Sequence, residues 1–160
     1  MKSVVQRVLD ASVSVGGVVK GRIQSGLLVY LGVALDDAEA DADWLAEKIA
    51  NLRIFEDAEG KMNVSLKDLV NRNLSKANSD ETALGVLAIS QFTLLGDAQK
   101  GRRPSWGRAA PPEKAKQLYE YFMRKIREQG LVCESGEFQT HMLVTYTNDG
   151  PVTVLLDSKQ

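Results

Sequence analysis

The stretch Gly26–Ala34, which reads GLLVYLGVA, decides the fold of this chain. Each of its positions is apolar, aromatic or glycine, so neither face carries the polar residues of a solvated strand. A segment of this length that is apolar on both faces is typical of a strand in the centre of a sheet. The sequence therefore predicts a sheet built around Gly26–Ala34 and covered on both of its faces.

The residues before this stretch predict an antiparallel hairpin. Apolar residues alternate along much of Val4–Val15, and Val18–Ile23 returns as a second strand. Gly16-Gly17 supplies the two-residue turn, because glycine tolerates the positive φ that such turns require.

Two helices are predicted farther along the chain. Asp36 and Asp37 offer N-caps for the first, and Pro112 suits the first turn of a second helix that Gly130 ends. Apolar residues recur in both at spacings of three or four, which is the period of one helical face. The two faces comprise Leu45, Ile49, Leu52 and Phe55 in the first helix, and Ala115, Leu118, Phe122 and Ile126 in the second.

The remaining segments complete an α+β pattern of strands, helix, strand, helix and strands. We expect a mainly antiparallel sheet, curled into a barrel-like core with two packed helices, in a single domain spanning residues 1–160. Asn148–Pro151 would link the last two strands, and loops are expected at Asn71–Asp80 and Leu95–Pro112. The further strands are predicted at Met62–Leu66, Ala83–Phe92, Leu131–Glu134, Phe138–Thr147 and Val152–Leu156.

The composition narrows the function classes. With 44% hydrophobic and 26% charged residues, the chain resembles an ordinary globular protein, and no apolar run is long enough to span a membrane. No leader precedes the first strand, and the lone Cys133 fits a reducing compartment, so we expect a cytoplasmic protein. One histidine (His141) and one cysteine are too few for a usual zinc site, which predicts neither metal nor cofactor. The net charge of −1 argues against a protein wrapped in nucleic acid, although a local basic contact with one RNA end stays open, and we expect no DNA partner.

The segment Ser90-Gln91-Phe92-Thr93-Leu94 carries the first candidate site, because it lies where a buried strand runs into a loop. Strand ends present hydroxyls and backbone N–H groups to ligands. Thr93 could act as a nucleophile or a hydrogen-bond donor, and Phe92 as a stacking surface. The residues alone favour a structural interpretation, a threonine that closes a strand and a phenylalanine in the core.

The second candidate segment is Asn148–Thr153, which reads NDGPVT. A tight hairpin turn accounts for it equally well. Proline cannot donate a hydrogen bond to a sheet ladder, however, and the Gly150–Pro151 bond is a candidate for the cis form. A cis bond would turn two neighbouring carbonyls the same way, as acceptors for an ammonium group.

These two segments resemble the signature motifs of the D-aminoacyl-tRNA deacylase family. Lys100–Trp106 (KGRRPSW) is similar to a third family segment, which usually ends in Phe, and the N-terminal Val5-Gln6-Arg7-Val8 and Ala11-Ser12-Val13 match as well. The resemblance covers essentially the whole chain. One departure concerns Gly136–Met142, where Gln139 and Thr140 replace a smaller glycine and alanine, which affects the expected shape and polarity of the pocket.

The resemblance implies an enzyme that hydrolyses the ester of D-aminoacyl-tRNA, typically accepts glycyl-tRNA and rejects L-aminoacyl-tRNA. It also implies a homodimer in which Gly150 and Pro151, joined by a cis bond, enter the pocket of the partner subunit. The expected pocket contains Ser90, Gln91, Phe92 and Thr93 as catalytic candidates, with Phe138 and Met142 lining it. In the long loop, the candidates for tRNA binding are Lys100, Arg102, Arg103 and Trp106, with Arg108 nearby.

Two mechanisms are compatible with these residues. Thr93 could attack the ester, which requires a neighbouring base that the sequence does not obviously supply. Alternatively, water attacks while backbone N–H groups near Phe92 and Thr93 hold the oxyanion and the 2′-hydroxyl of the tRNA assists. We favour the second. The competing functions are a non-catalytic tRNA-binding dimer, a proofreader that clears L-aminoacyl-tRNA, and a hydrolase of free D-amino-acid esters.

Overall fold

The computed structural model describes residues 1–74, 84–99 and 101–160. The helices are α1 (Glu39–Ala50), α2 (Leu66–Leu74) and α3 (Pro112–Glu128), and a 3₁₀ turn spans Phe92–Leu95. The strands are β1 (Lys2–Val15), β2 (Val18–Ile23), β3 (Ser25–Gly32), β4 (Phe55–Glu56), β5 (Met62–Val64), β6 (Leu84–Ser90), β7 (Val132–Ser135) and β8 (Leu143–Asp157).

The long strand β1 organises the main sheet. Its first half pairs with β3 and its second half with β2, while β8 runs antiparallel along its other edge. Strands β6 and β7 then extend the sheet from β3 in parallel. The predicted α+β class and curled sheet are confirmed as a half-barrel, but the sheet is mixed. The parallel pairs arise because helical segments cross over between β3 and β6 and between β6 and β7.

Apolar side chains are buried on both faces of this sheet, as the Gly26–Ala34 stretch predicts. Leu27, Val29 and Leu31 pack under α1 and α3 in the larger core. Leu28 points to the opposite face and joins a smaller core with Leu87 and other strand residues. Successive strand residues face opposite ways, so one apolar strand serves both cores.

The predicted boundaries of the first helix are wrong at both ends. Helix α1 begins at Glu39, and Asp37 is instead buried, where its Oδ2 accepts the N–H of Ala34 at 2.6 Å. The carboxylate of Asp41 accepts the N–H of Ala38, the residue that precedes the helix, at 2.8 Å. The helix ends at Ala50, so Leu52 and Phe55 lie beyond it.

Helix α2 was not predicted. The strand expected over Met62–Leu66 ends at Val64, and α2 then covers the start of the predicted loop Asn71–Asp80. The side chain of Asp68 explains this start, because it accepts hydrogen bonds from both the N–H and the hydroxyl of Ser65. Residues 75–80 of the predicted loop lie outside the described residues.

The predicted strands Phe138–Thr147 and Val152–Leu156 form one strand, β8, and Phe138–Thr140 lies in a turn before it. No hairpin separates them, since both halves of β8 pair with β1: Thr153 lies opposite Gln6 and Asn148 opposite Val8. The chain between Asn148 and Thr153 therefore leaves the ladder as a wide bulge. A sequence pattern cannot distinguish such a bulge from a turn, because both interrupt the alternation with the same residue types.

None of the described helices is long and apolar enough to cross a membrane.

Candidate active site

Ser90 is the last residue of β6, and the chain turns directly afterwards into the 3₁₀ turn Phe92–Leu95. The N–H of Gln91 donates to Leu31 O at 2.8 Å, which fixes the turn against β3. Gly32 permits this close approach, because a Cβ at that position would lie 3.0 Å from Gln91 O and would overlap Leu95. The rigid sheet thus holds the first candidate segment at its edge.

A cavity of about 580 Å³ lies beside this turn, a size typical of small-molecule sites. Five predicted site residues line it: Ser90, Gln91, Phe92, Phe138 and Met142. Other lining residues come from β3 and the residue after it, from β6, from the start of α3 and the loop before it, and from β8 and its approach. They are Leu31, Val33, Ile89, Ala109, Ala110, Pro112, Ala115, Gln139, Thr140, His141 and Val144.

Thr93 does not line the cavity. Its hydroxyl hydrogen-bonds to the side-chain amide of Gln91, which does line it. The bonds of the 3₁₀ turn begin at Leu94, whose N–H donates to Gln91 O at 3.2 Å. The N–H groups of Phe92 and Thr93 precede that bond, so the turn itself offers them no acceptor.

Gln139 and Thr140, which the sequence marked as departures that affect the pocket, do line the cavity, and so does His141, which the sequence did not assign to the site. The histidine was expected in a strand, but it follows the turn Phe138–Thr140 and is exposed on the cavity wall. Within the described part of the chain, no hydrogen bond joins His141 to Thr93 or Gln91. The signal in the sequence for these three residues was the segment Gly136–Met142, which departs from the usual family pattern.

Neither a cysteine nucleophile nor a metal site is supported by the structure of the described residues. Burial raises the pKa of the Cys133 thiol to about 12, so the group is protonated at neutral pH and is a poor nucleophile. Among the described residues, no group of three or more histidine, cysteine or carboxylate side chains could hold a metal ion.

The second segment lies in the β8 bulge and not in this cavity. The Gly150–Pro151 bond is cis, and Gly150 has a φ of 112°, which favours glycine. The side chain of Asn148 closes the neck of the bulge by donating to Arg7 O at 2.9 Å and to Val152 O at 3.1 Å. Neither Gly150 nor Pro151 is among the lining residues.

Arg7 braces the bulge from below. Its buried guanidinium donates from Nη1 to Ile54 O at 2.6 Å, and its Nε lies 2.8 Å from Asp149 Oδ2, although not in good hydrogen-bond geometry. A Cβ on Gly150 would lie 3.1 Å from Nη2 of this arginine. The backbone of the bulge is therefore packed directly on a buried cation.

The long loop brings an exposed aromatic residue to the site. The ring of Trp106 contacts that of Phe92 edge to face, with centroids 5.3 Å apart. Three arginines close to Trp106 in sequence are exposed, namely Arg102, Arg103 and Arg108. None of them forms an ion pair with another described residue. Lys100, the remaining predicted contact, lies outside the described residues.

Comparison with known proteins gives a consistent result. The sequence model of the family described as D-Tyr-tRNA(Tyr) deacylase matches residues 4–157. A protein named D-aminoacyl-tRNA deacylase from Koribacter versatilis is 56% identical over 100% of this chain and 99% of its own length. Its namesake from Kosmotoga olearia is 54% identical over the same shares of the two chains.

Two solved structures share the fold. One, described as c-Myc DNA Unwinding Element Binding Protein, is 37% identical, has a TM-score of 0.84 and covers 98% of both chains. Another, described as a probable eukaryotic D-amino acid tRNA deacylase, has a TM-score of 0.77 over 97% of both chains. The latter is 16% identical, so it supports the fold alone.

Proposed function

The chain belongs to the D-Tyr-tRNA(Tyr) deacylase family and hydrolyses D-aminoacyl-tRNA, and we propose that it does so mainly with backbone groups beside the cavity. The observation that carries this proposal is the rigid edge formed by Ser90, Gln91 and Phe92 on a cavity of about 580 Å³. A cavity of this size takes the aminoacylated end of a tRNA, while the rest of the molecule stays outside.

Hydrolysis requires stabilisation of the oxyanion that forms when the ester carbonyl is attacked. The N–H groups of Phe92 and Thr93 suit this role, since the 3₁₀ turn leaves them without an acceptor and the sheet fixes their direction. Water attacks the carbonyl in this scheme, and the neighbouring 2′-hydroxyl of the terminal ribose assists the proton transfer. The tetrahedral intermediate then expels the ribose oxygen, which releases the free D-amino acid and the tRNA.

Thr93 acts here as a positioning residue. Its hydroxyl is engaged with the Gln91 amide and lies off the cavity wall, which supports water attack over an acyl-enzyme. Trapping a covalent acyl group on Thr93 during turnover would contradict this assignment.

We further propose a homodimer in which Gly150 and Pro151 act on the cavity of the partner subunit. Two observations support it. The bulge does not contribute to the cavity of its own chain. In addition, β8 pairs only with β1 among the described strands, and it exposes Leu143 and Leu155, which are 61% and 75% accessible. A long edge strand with exposed apolar residues is a typical surface for association.

Mixed subunits test the action in trans. Phe92→Ala impairs the cavity edge, and Gly150→Ala places a Cβ 2.8 Å from the Val152 side chain and so distorts the bulge. In a heterodimer of the two variants, one active site receives both intact elements. Random reassociation should therefore restore about a quarter of the wild-type activity from two weakly active parents. No recovery in verified heterodimers would contradict action in trans.

Selection of D over L follows from exclusion in this arrangement. Backbone carbonyls of Gly150 and Pro151 would hold the substrate ammonium group. The pocket wall would then occupy the side of the Cα on which an L-amino acid carries its side chain, so an L substrate would clash. Glycine has no side chain, so we propose that glycyl-tRNA is also accepted.

The tRNA is held by the long loop in this proposal. Trp106 and Phe92 offer exposed rings for an unpaired base, and Arg102 and Arg103 suit phosphates. Binding should weaken as salt increases, since phosphate contacts release counterions.

The function is tested by deacylation of matched D- and L-aminoacyl-tRNA, with glycyl-tRNA and a free D-amino-acid ester in parallel. We expect rapid release from the D and glycyl substrates and protection of the L substrate. Equal rates for D and L would indicate a chirality-blind proofreader, and binding without release a non-catalytic protein. Competition by duplex DNA as effective as that by tRNA would contradict the assignment of RNA as the partner.

A further inference from the structure

Gln139 adopts a backbone conformation that disfavours its side chain. Its φ is 60°, and it is the only non-glycine residue with a positive φ among residues 1–74, 84–99 and 101–160. The left-handed region crowds a Cβ against the following carbonyl, so side chains there carry a conformational cost. Such conformations persist where the surroundings impose them, and they concentrate at functional sites.

Neighbouring contacts impose this conformation on the turn. The ring of Phe138 packs on Tyr119 at 6.1 Å between centroids, which anchors the turn on α3. The Thr140 hydroxyl donates to Glu137 O at 2.8 Å, and the Glu137 carboxylate forms an ion pair with Lys20 at 3.2 Å. The turn is thus anchored to α3 by the residue before Gln139, and the bond from Thr140 to Glu137 closes it around Gln139.

The Gln139 side chain lies on the cavity wall and is exposed, whereas Gln91, Phe138 and Met142 on the same wall are half-buried. No hydrogen bond from another described residue occupies its amide. The amide is therefore a free donor and acceptor pair, and the turn fixes the backbone from which it extends at the accessible part of the cavity.

The substrate offers two parts to such a group. The amino acid varies in its side chain, so a fixed donor and acceptor pair would match few of its forms. The terminal nucleoside of every tRNA is adenosine, and its base carries an exocyclic amine next to a ring nitrogen. A glutamine amide matches this donor and acceptor edge with two hydrogen bonds.

We propose that Gln139 is a specificity-determining residue that recognises the adenine of the terminal nucleoside through its side-chain amide. The inference rests on the proposed function, because it places the aminoacylated tRNA end in this cavity. It adds a contact to the base, made by a segment far in sequence from Ser90–Leu94, which supplies the backbone groups.

The test measures binding of two stable probes by calorimetry. One is 3′-amino-3′-deoxyadenosine acylated by D-alanine through an amide, and the other is the same compound with purine, which lacks the exocyclic amine. Wild-type protein should prefer the adenine probe about tenfold, the discrimination that a paired amide contact supplies. Gln139→Gly should bind both probes equally, and Gln139→Glu, which keeps the acceptor but loses the N–H donor, should fall between.

Thermal unfolding separates this effect from misfolding. Glycine adopts a φ of 60° freely, so Gln139→Gly should melt at or above the wild-type temperature while losing the adenine preference. An unchanged preference in this variant would overturn the proposal. So would a change confined to discrimination between D-alanine and D-phenylalanine probes, since the amide would then face the amino acid.

Deacylation of D-aminoacyl-tRNA by the wild-type protein is measured first. Turnover without any adenine preference would overturn the role of Gln139 alone, whereas absence of turnover would contradict the proposed function itself.

Discussion

Replacement of Arg7 by methionine should both destabilise the protein and impair its selection of D substrates. The guanidinium is 7% exposed, and it binds Ile54 O at 2.6 Å and faces Asp149 at 2.8 Å. Methionine fills similar space but leaves the buried carbonyl of Ile54 without a donor. It also leaves the Asp149 carboxylate, which is 37% exposed, to be solvated by water.

The magnitude follows from these two losses. Removing one partner from a buried ion pair costs about 3–5 kcal/mol, and the exposure of Asp149 places this case at the lower end. A loss of about 3 kcal/mol lowers the melting temperature of a chain of this size by roughly 10 °C. The bulge would lose its support below Gly150, so we also expect a lower rate with D-aminoacyl-tRNA and a smaller ratio of D to L rates.

Lys2→Met is a matched control. Lys2 also lies on β1 and pairs with a residue of β8, Asp157, but at 3.8 Å and with 38% of its side chain exposed. Exposed pairs contribute at most about 1 kcal/mol, so this variant should melt near the wild-type temperature and keep its selectivity. Denaturant unfolding and deacylation assays on both variants decide the matter. If Arg7→Met behaves like Lys2→Met in both, the guanidinium does not support the bulge.

Three further outcomes are expected. Trp106→Ala should weaken tRNA binding about tenfold in a filter-binding assay without changing the melting temperature strongly, since one stacked base contributes about 1–3 kcal/mol; unchanged affinity would remove this residue from the RNA contact. Tyr119→Phe should cost about 1 kcal/mol in denaturant unfolding, because its buried hydroxyl donates to Ala88 O at 2.7 Å, and a neutral effect would contradict that bond. Burial alone would raise the pKa of Asp41, but hydrogen bonds from the Ser158 hydroxyl and neighbouring groups lower it to about 2. A depressed pKa contributes stability that is present above pH 4 and lost as the pH falls towards 2. The free energy of unfolding of Asp41→Asn, measured with denaturant at several pH values, should therefore fall by about 2 kcal/mol less between pH 4 and pH 2 than that of the wild type. An equal fall in both proteins would indicate that other carboxylates cause the loss.

Local signals in the sequence were sufficient for some elements. Gly16-Gly17 located the β1–β2 turn, and both glycines have positive φ. Pro112 located the start of α3, because proline fits the first turn of a helix and disrupts its interior. In both cases one residue type restricts the backbone wherever it stands.

Other elements depended on partners that the sequence does not reveal. Asp37 has the residue type of an N-cap, but burial beside Ala34 uses its carboxylate elsewhere. The residues around Gly150-Pro151 have the composition of a turn, yet both flanking segments pair with β1. A composition pattern is local, whereas the pairing of β1 with β8 joins residues far apart in the chain, such as Val8 with Asn148 and Gln6 with Thr153.

The two candidate segments show the same division. By itself, the sequence determined the residues that the chemistry uses and, through their resemblance to a family, the reaction. Only the tertiary structure decided that Ser90, Gln91 and Phe92 share a cavity with Gln139, and that Gly150 and Pro151 lie outside it. The physical reason is that backbone N–H groups, turn conformations and cavity walls are set by packing and register, which join segments far apart in the chain.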